Sequence, residues 1–244
     1  MNLQSEIPNP KIEAPKSLTL IVKHREELKM RSYLSIAILM IIAALTYSCA
    51  DPSANKQKAT VGNAQQESNT PKSSGTETLT ISPENSKVEF VASKVTRSHN
   101  GSFKQFSGQI DLDPSNIPNS RVTIDIDTSS VVADDDQLTA HLKTPDFFDV
   151  AKFPKATFVS TKIEPGSSDL GTLTSNVTGN FDLHGVKKSI SFPAIIKVTP
   201  DNATVNAEFT INRKDFGLVY AGKADDLIRD GVVIKLNLNV PRKK

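Results

Sequence analysis

The chain is expected to fold as an all-β protein, an antiparallel β-barrel of about eight strands with one short helix. Three observations predict this. Apolar and polar residues alternate at period two along run after run, turn-forming residues separate the runs, and a single acid-led segment breaks the rhythm. Such alternation marks strands half buried against one core. Closure into a barrel is favoured over an open sandwich because it removes exposed sheet edges.

The first strand carries Val88, Phe90 and Ala92 against Lys87, Glu89 and Ser93, and the same pattern recurs in Val122, Ile124 and Ile126. Further runs lie at Phe103 to Leu112, Ala156 to Ile163, Leu173 to Leu183, Lys188 to Val198, Thr204 to Ile211 and Val232 to Val240. Asn100-Gly101 is the strongest short hairpin signal, and Pro165-Gly166, Pro200-Asp201-Asn202 and Asp230-Gly231 supply other turns. The interruption is Asp134 to Asp149, where three consecutive aspartates can begin a helix that carries Leu138, His141 and Leu142 on one side. The span from Glu77 to Pro241 suffices for one domain with one core.

Upstream of this domain the chain has the layout of an export signal. An apolar run from Tyr33 to Tyr47 follows Lys29 and Arg31 and is too short for an ordinary membrane-spanning helix, so residues 1–48 are read as a signal peptide. Met30-Arg31 would open a conventional signal, which makes Met30 a candidate start. Cys49 is the only cysteine and lies just after the apolar run, preceded by Ser48. This arrangement resembles a bacterial lipobox and implies lipidation of Cys49 and anchoring to a bacterial membrane, on its periplasmic or cell-surface side. Residues 49–76 are read as the lipidated cysteine and a disordered tether, because Asp51 to Thr76 holds almost no large apolar residue. Residues 77–244 are read as the barrel domain.

Removing residues 1–48 takes six of the 29 basic and four of the 27 acidic residues and leaves 23 of each. A formally neutral body without a basic block has no electrostatic footprint for nucleic acid. No second cysteine exists to form an internal disulfide. His99, His141 and His184 are far apart in sequence and no His or Cys stands at metal spacing, so no metal site is indicated. No nucleophile elbow or phosphate-cradling loop occurs, and no catalytic residue is assigned. Eleven phenylalanines without a tryptophan must line something apolar. In an eight-stranded barrel they make either a solid core or the wall of a tunnel.

Local strings decide between these. Thr144-Pro145-Asp146-Phe147-Phe148-Asp149, Phe153-Pro154 with Ala156-Thr157-Phe158, Leu183-His184-Gly185-Val186 and Ile211-Asn212-Arg213-Lys214-Asp215-Phe216-Gly217 resemble the YceI-like family in order and spacing. Ala140-His141-Leu142 and Lys87-Val88-Glu89-Phe90 belong to the same pattern. The resemblance implies a lipocalin-like barrel whose bore takes a polyisoprenoid, such as a prenyl quinone or prenyl pyrophosphate, in the cell envelope. It implies binding rather than catalysis, with no required cofactor and a bound isoprenoid lipid as partner. A homodimer is left open. Carried over by position, Phe147, Phe148 and Phe158 would line or close the tunnel, with Phe90, Phe106, Ile124, Phe181 and Phe209 facing inward. His141, His184, Arg213 and Asp215 are candidates for a polar mouth, Arg213 and Asp215 as a charged pair. The alternative is an envelope stress-response or interaction module whose core is filled by its own side chains.

Overall fold

The computed structural model describes residues 51–67, 75–169 and 172–242. The expected signal peptide and Cys49 lie outside these residues. Among them run fourteen strands: β1 (Thr60–Asn63), β2 (Glu77–Ile81), β3 (Ser86–Ser93), β4 (Ser98–Phe103), β5 (Phe106–Leu112), β6 (Arg121–Asp127), β7 (Val131–Ala133), β8 (Lys155–Asp169), β9 (Thr172–Leu183), β10 (Val186–Val198), β11 (Asn202–Asn212), β12 (Gly222–Lys223), β13 (Asp226–Leu227) and β14 (Gly231–Pro241). Helix α1 spans Asp136–Leu142.

Eleven of the fourteen segments make eight long arms, and β1, β12 and β13 stand apart from them. β2 with β3, β4 with β5, and β6 with β7 are each one run of chain interrupted by a short irregularity. β2 pairs β5 while β3 pairs β4, and β5 pairs β6 while β4 pairs β7. The antiparallel ladders then pass from β6 through β8, β9, β10 and β11 to β14. β14 returns to β3, Val233 opposite Val91 and Leu238 opposite Ser86, so the sheet curls round upon itself. Where β2 and the end of β14 approach, the Arg242 guanidinium grips the Glu77 carboxylate, with Nε to Oε2 at 2.9 Å.

Alternation sorts the side chains as expected. Ile190, Phe192, Ala194 and Ile196 on β10, and Ala203, Ala207, Phe209 and Ile211 on β11, are buried inside. One end of the barrel is packed solid by Leu79, Ile81, Ile110, Leu112, Leu238 and Val240. The other end carries the β3–β4 turn, α1 and its following loop, the β9–β10 turn and the long connection from β11 to β14. In the β9–β10 hairpin His184 and Gly185 both adopt positive φ, +54° and +74°. That is the two-residue turn whose twist matches the strands it joins.

Two turn expectations are corrected. Asn100-Gly101 lies inside β4, and the hairpin reverses between Ser93 and Ser98 instead. Gly101 is there because the Phe90 ring lies across it, so a Cβ at that position would meet the ring at 2.1 Å. Pro165-Gly166 lies inside β8 beside a shift of register between Pro165 and Ser168, a bulge rather than a turn. The helix is shorter than the acid-led segment suggested. Asp135 caps it by accepting from the Leu138 N–H at 2.9 Å, and it stops at Leu142, just before Thr144-Pro145, where the proline disfavours helical backbone.

The tether expectation also fails for residues 51–67. β10 and β11 pair only at the solid end, from Ile195 opposite Asn206 to Val198 opposite Ala203. Towards the other end they part, and β1 enters the gap. Thr60 pairs Ser191 and Asn63 pairs Lys188 on one side, while Lys58 bridges Thr210 on the other. Ala59 and Val61 pack on the core, which gives this polar segment the apolar anchors that its composition hides. Beyond β1 the chain crosses the outer wall. The buried Asn180 amide accepts from Gln65 N–H at 2.8 Å and donates to Gln65 C=O at 2.7 Å, and Glu67 reaches Lys187 at 2.8 Å.

This strap generates a prediction. Asn180→Ala removes both bonds and leaves the Gln65 backbone without its partner, which should cost about 1–3 kcal/mol. Urea denaturation should report that loss, and limited proteolysis should cut within residues 51–67 of the variant before the barrel.

Candidate functional site

Between the solid end and the loops, the interior is not filled. Phe103, Phe181, Val232, Ile234 and Leu236 face inward yet are only half buried, because part of each borders empty space. Two overlapping chambers account for this. The deeper is lined by Phe90, Phe158, Phe192, Phe209, Ile190 and Leu236, among others. The outer is walled by Leu142, Phe147, Phe148, Leu183, Leu218 and Ile228. Phe90, Phe103, Ile126, Phe181, Ile211 and Ile234 border both, so they form one bore. The bore is slim. The cavity volume is about 70 Å³ in the deeper chamber and about 90 Å³ in the outer one.

The residues singled out from the sequence divide as follows. Phe90, Ile124, Phe158, Phe181 and Phe209 line the deeper chamber, and Phe147 and Phe148 line the outer one. Phe106 is buried in the same core but borders neither chamber. Sequence reasoning left out Phe103, Phe192, Ile126, Ile211 and Ile234. The alternation within their own strands was the signal that could have found them.

A lid of rings closes the outer chamber. The His141 ring packs edge-on against Phe147 at 4.9 Å and Tyr220 at 5.3 Å, and Phe147 meets Tyr220 at 5.4 Å. His141 Nε2 is held by Asp146 Oδ2 at 2.7 Å. Outside the lid lies a polar cleft bounded by Arg97, His99, Asp135, His141, Tyr220 and Lys223. His99 Nδ1 lies 2.8 Å from Asp134 Oδ1, and the other Asp134 oxygen accepts from Asn100 N–H. That N–H, together with His99 and Arg97, holds the Asp134 carboxyl below the usual aspartate range, against the opposing effect of burial.

Of the four candidate mouth residues, two sit here. His141 belongs to the lid, and Arg213 borders the outer chamber. Arg213 is buried and spends its donors on the Arg229, Leu218 and Ile228 carbonyls and on Asp230, not on Asp215. The expected Arg213–Asp215 pair is therefore replaced by a guanidinium that pins the β11–β14 connection. Burial lowers its pKa, partly offset by Asp230. Asp215 lies half buried in the turn after β11. His184 occupies the β9–β10 turn, 4.4 Å from the Phe153 ring and away from both chambers. Among the described residues no group of three or more His, Cys, Asp or Glu is placed to share a metal.

These features define a lipocalin-like antiparallel barrel with a slim apolar bore capped at one end. Residues 79–240 match the YceI-like domain, and the chain belongs to that family. A UPF0312 protein of Pseudomonas putida strain W619 is 34% identical over 124 residues, 48% of this chain and 62% of that protein. The chain thus spans about three-fifths of the length of that relative. A UPF0312 protein of Pseudomonas fluorescens strain SBW25 is 31% identical over 134 residues, 52% of this chain and 68% of that one. BcnA of Burkholderia cenocepacia superposes with a TM-score of 0.58 at 26% identity, covering 65% of this chain and 98% of its own. A polyisoprenoid binding domain from Saccharophagus degradans, implicated in plant cell wall breakdown, shares the fold at a TM-score of 0.54 and 18% identity, covering 68% of this chain and 98% of its own.

The Asp134 contacts make a pH prediction. A carboxyl with a lowered folded pKa adds stability that is complete above its ordinary value, 3.8, and is lost as pH falls through the lowered value. Asp134→Asn should flatten this acid dependence, measured as thermal midpoint against pH, while leaving the neutral-pH barrel folded by circular dichroism.

Proposed function

We propose that the bore holds a long apolar isoprenoid lipid, a prenyl quinone or prenyl pyrophosphate, which the protein stores, sequesters or hands over in the cell envelope by binding rather than by catalysis. The observation that carries this reading is the inward-facing apolar wall of Phe90, Phe103, Ile126, Phe181, Ile211 and Ile234, which borders both chambers. The polyisoprenoid binding domain from Saccharophagus degradans shares this fold, and YceI-like membership supports the same ligand class.

The energetics permit the function. Micromolar affinity needs about 8 kcal/mol net, and binding costs about 4–15 kcal/mol in lost freedom. At about 25 cal/mol per Å², roughly 500–900 Å² of apolar area must then leave water. A prenyl chain of several units lying along both chambers supplies surface of that order. Filling the void also restores dispersion contacts that the bordering rings lack in the empty state.

Native mass spectrometry with organic extraction, on protein expressed in a bacterial host, should recover a bound prenyl lipid. Replacing Phe148 and Phe181 by Asn puts unpaired amides in the channel at about 1–3 kcal/mol each, and should strip that lipid from protein still folded by circular dichroism. Folded wild-type protein that comes out lipid-free and refuses added prenyl lipids would leave the barrel as an interaction module instead.

A further inference from the structure

Outside the bore, large apolar side chains are exposed at five described positions: Val95, Val132, Ile195, Val219 and Leu227. Three of them gather at the open end. Val95, in the β3–β4 turn, is 53% exposed; Val219 and Leu227, in the β11–β14 connection, are 65% and 49% exposed. The two loops are tied together, since Val95 N–H donates to Leu227 C=O at 3.1 Å and Lys94 bridges Ile228. This apolar rim is flanked by the exposed cations Arg97 and Lys223 and borders the cleft outside the ring lid.

The chain enters the fold at the same rim. Asp51 Oδ2 lies 3.6 Å from Arg229 Nη1, two residues after Leu227, and Asp51 and Leu227 border one groove. Ser53 packs against Gly231 at the start of β14. In the sequence, the apolar run Tyr33 to Tyr47 ends only four residues before Asp51, with Cys49 between. A lipid on Cys49, which the lipobox-like arrangement around it implies, would fix this stretch to a bilayer. At about 3.3–3.6 Å per residue, Asp51 then stands within roughly 15 Å of the bilayer surface.

We propose that the rim carrying Val95, Val219 and Leu227 rests on a lipid bilayer, with these side chains in the interface and Arg97 and Lys223 at the level of the headgroups. Apolar side chains edged by long cations are the composition that settles at this boundary, about 5–10 Å deep. The ordered strap leaves no spacer between anchor and barrel, so the open end faces the membrane. The ring-capped end of the bore lies beside that rim, so a lipid tail passing between bilayer and channel would cross the His141–Phe147–Tyr220 lid. The docking rests on the anchor and the rim, independently of what the bore holds.

The chain contains no tryptophan, so Val95→Trp and Leu227→Trp each create a single reporter, with Val219→Trp as a third and Ile195→Trp, near the solid end of β10, as the control. The full-length chain, expressed in a bacterial host, is reconstituted into vesicles of phosphatidylethanolamine and phosphatidylglycerol bearing brominated acyl chains. The rim reporters should emit further to the blue than the control and be quenched several-fold more strongly. Equal, weak quenching at all four positions would overturn the docking, as would recovery of the chain free of vesicles. Neither readout depends on a ligand, so a lipid-free bore would not be mistaken for an undocked rim.

Discussion

A sheet that curls around an apolar channel has two demands that pull against each other. Its edges must be satisfied so that no strand invites another chain, and its interior must stay open enough to admit something. Here the edges are met chiefly by backbone. β14 returns to β3, Arg242 fastens Glu77 at the seam, and β1 fills the split between β10 and β11. The split matters because the two strands pair only at the solid end and part alongside the chambers. Inserting a short strand closes the wall without adding a bulky layer inside it.

The uneven packing of the interior follows from the same division. The solid end, with Leu79, Ile81, Leu112, Leu238 and Val240 almost wholly buried, supplies the contacts that hold the arms in register. The stacked rings of Phe192 and Phe209, 4.0 Å apart, floor the channel above it. Beyond that floor the rings of Phe103, Phe148 and Phe181 are half buried against space, an arrangement that forfeits contacts in an empty protein. A protein selected for stability alone would fill such a space. On the proposed function, a ligand in the bore completes this packing.

Much of the fold was legible because a barrel writes its wall as alternation. Eight arms could be counted from Val88, Phe90 and Ala92 onwards, and the Asp135-capped helix from its aspartates. What misled was chemistry that serves two purposes. Asn100-Gly101 has the composition of a hairpin, but Gly101 is small because Phe90 needs the room. Arg213 and Asp215 are close in sequence, but a turn after β11 sends the guanidinium to the carbonyls of a loop some fifteen residues away. The strap was the largest miss. Ala59 and Val61 are too few to signal a strand by periodicity, and the pairing that orders them comes from β10 and from Asn180, far along the chain. Non-local partners of this kind leave no trace in the segment they organise. Among the site residues, alternation placed Phe90, Phe158, Phe181 and Phe209 on the bore, whereas Tyr220 in the lid comes from an irregular loop with no period to read.

The strap changes how the N-terminal region relates to the rest. As a coil of some 26 residues it would have left the barrel free to turn relative to the chain upstream of it. Paired to β10, hooked to Asn180 and tied at Asp51 to Arg229, it instead fixes the entry point of the chain beside the open end. On the proposed docking, orientation becomes a property of the fold rather than of diffusion. The connection pinned by Arg213 joins the parts: it supplies Leu218 and Ile228 to the outer chamber, Tyr220 to the lid, Val219 and Leu227 to the rim, and Arg229 to the chain entry. One loop, held by one buried cation, therefore touches every structure that a lipid tail would meet between a bilayer and the bore.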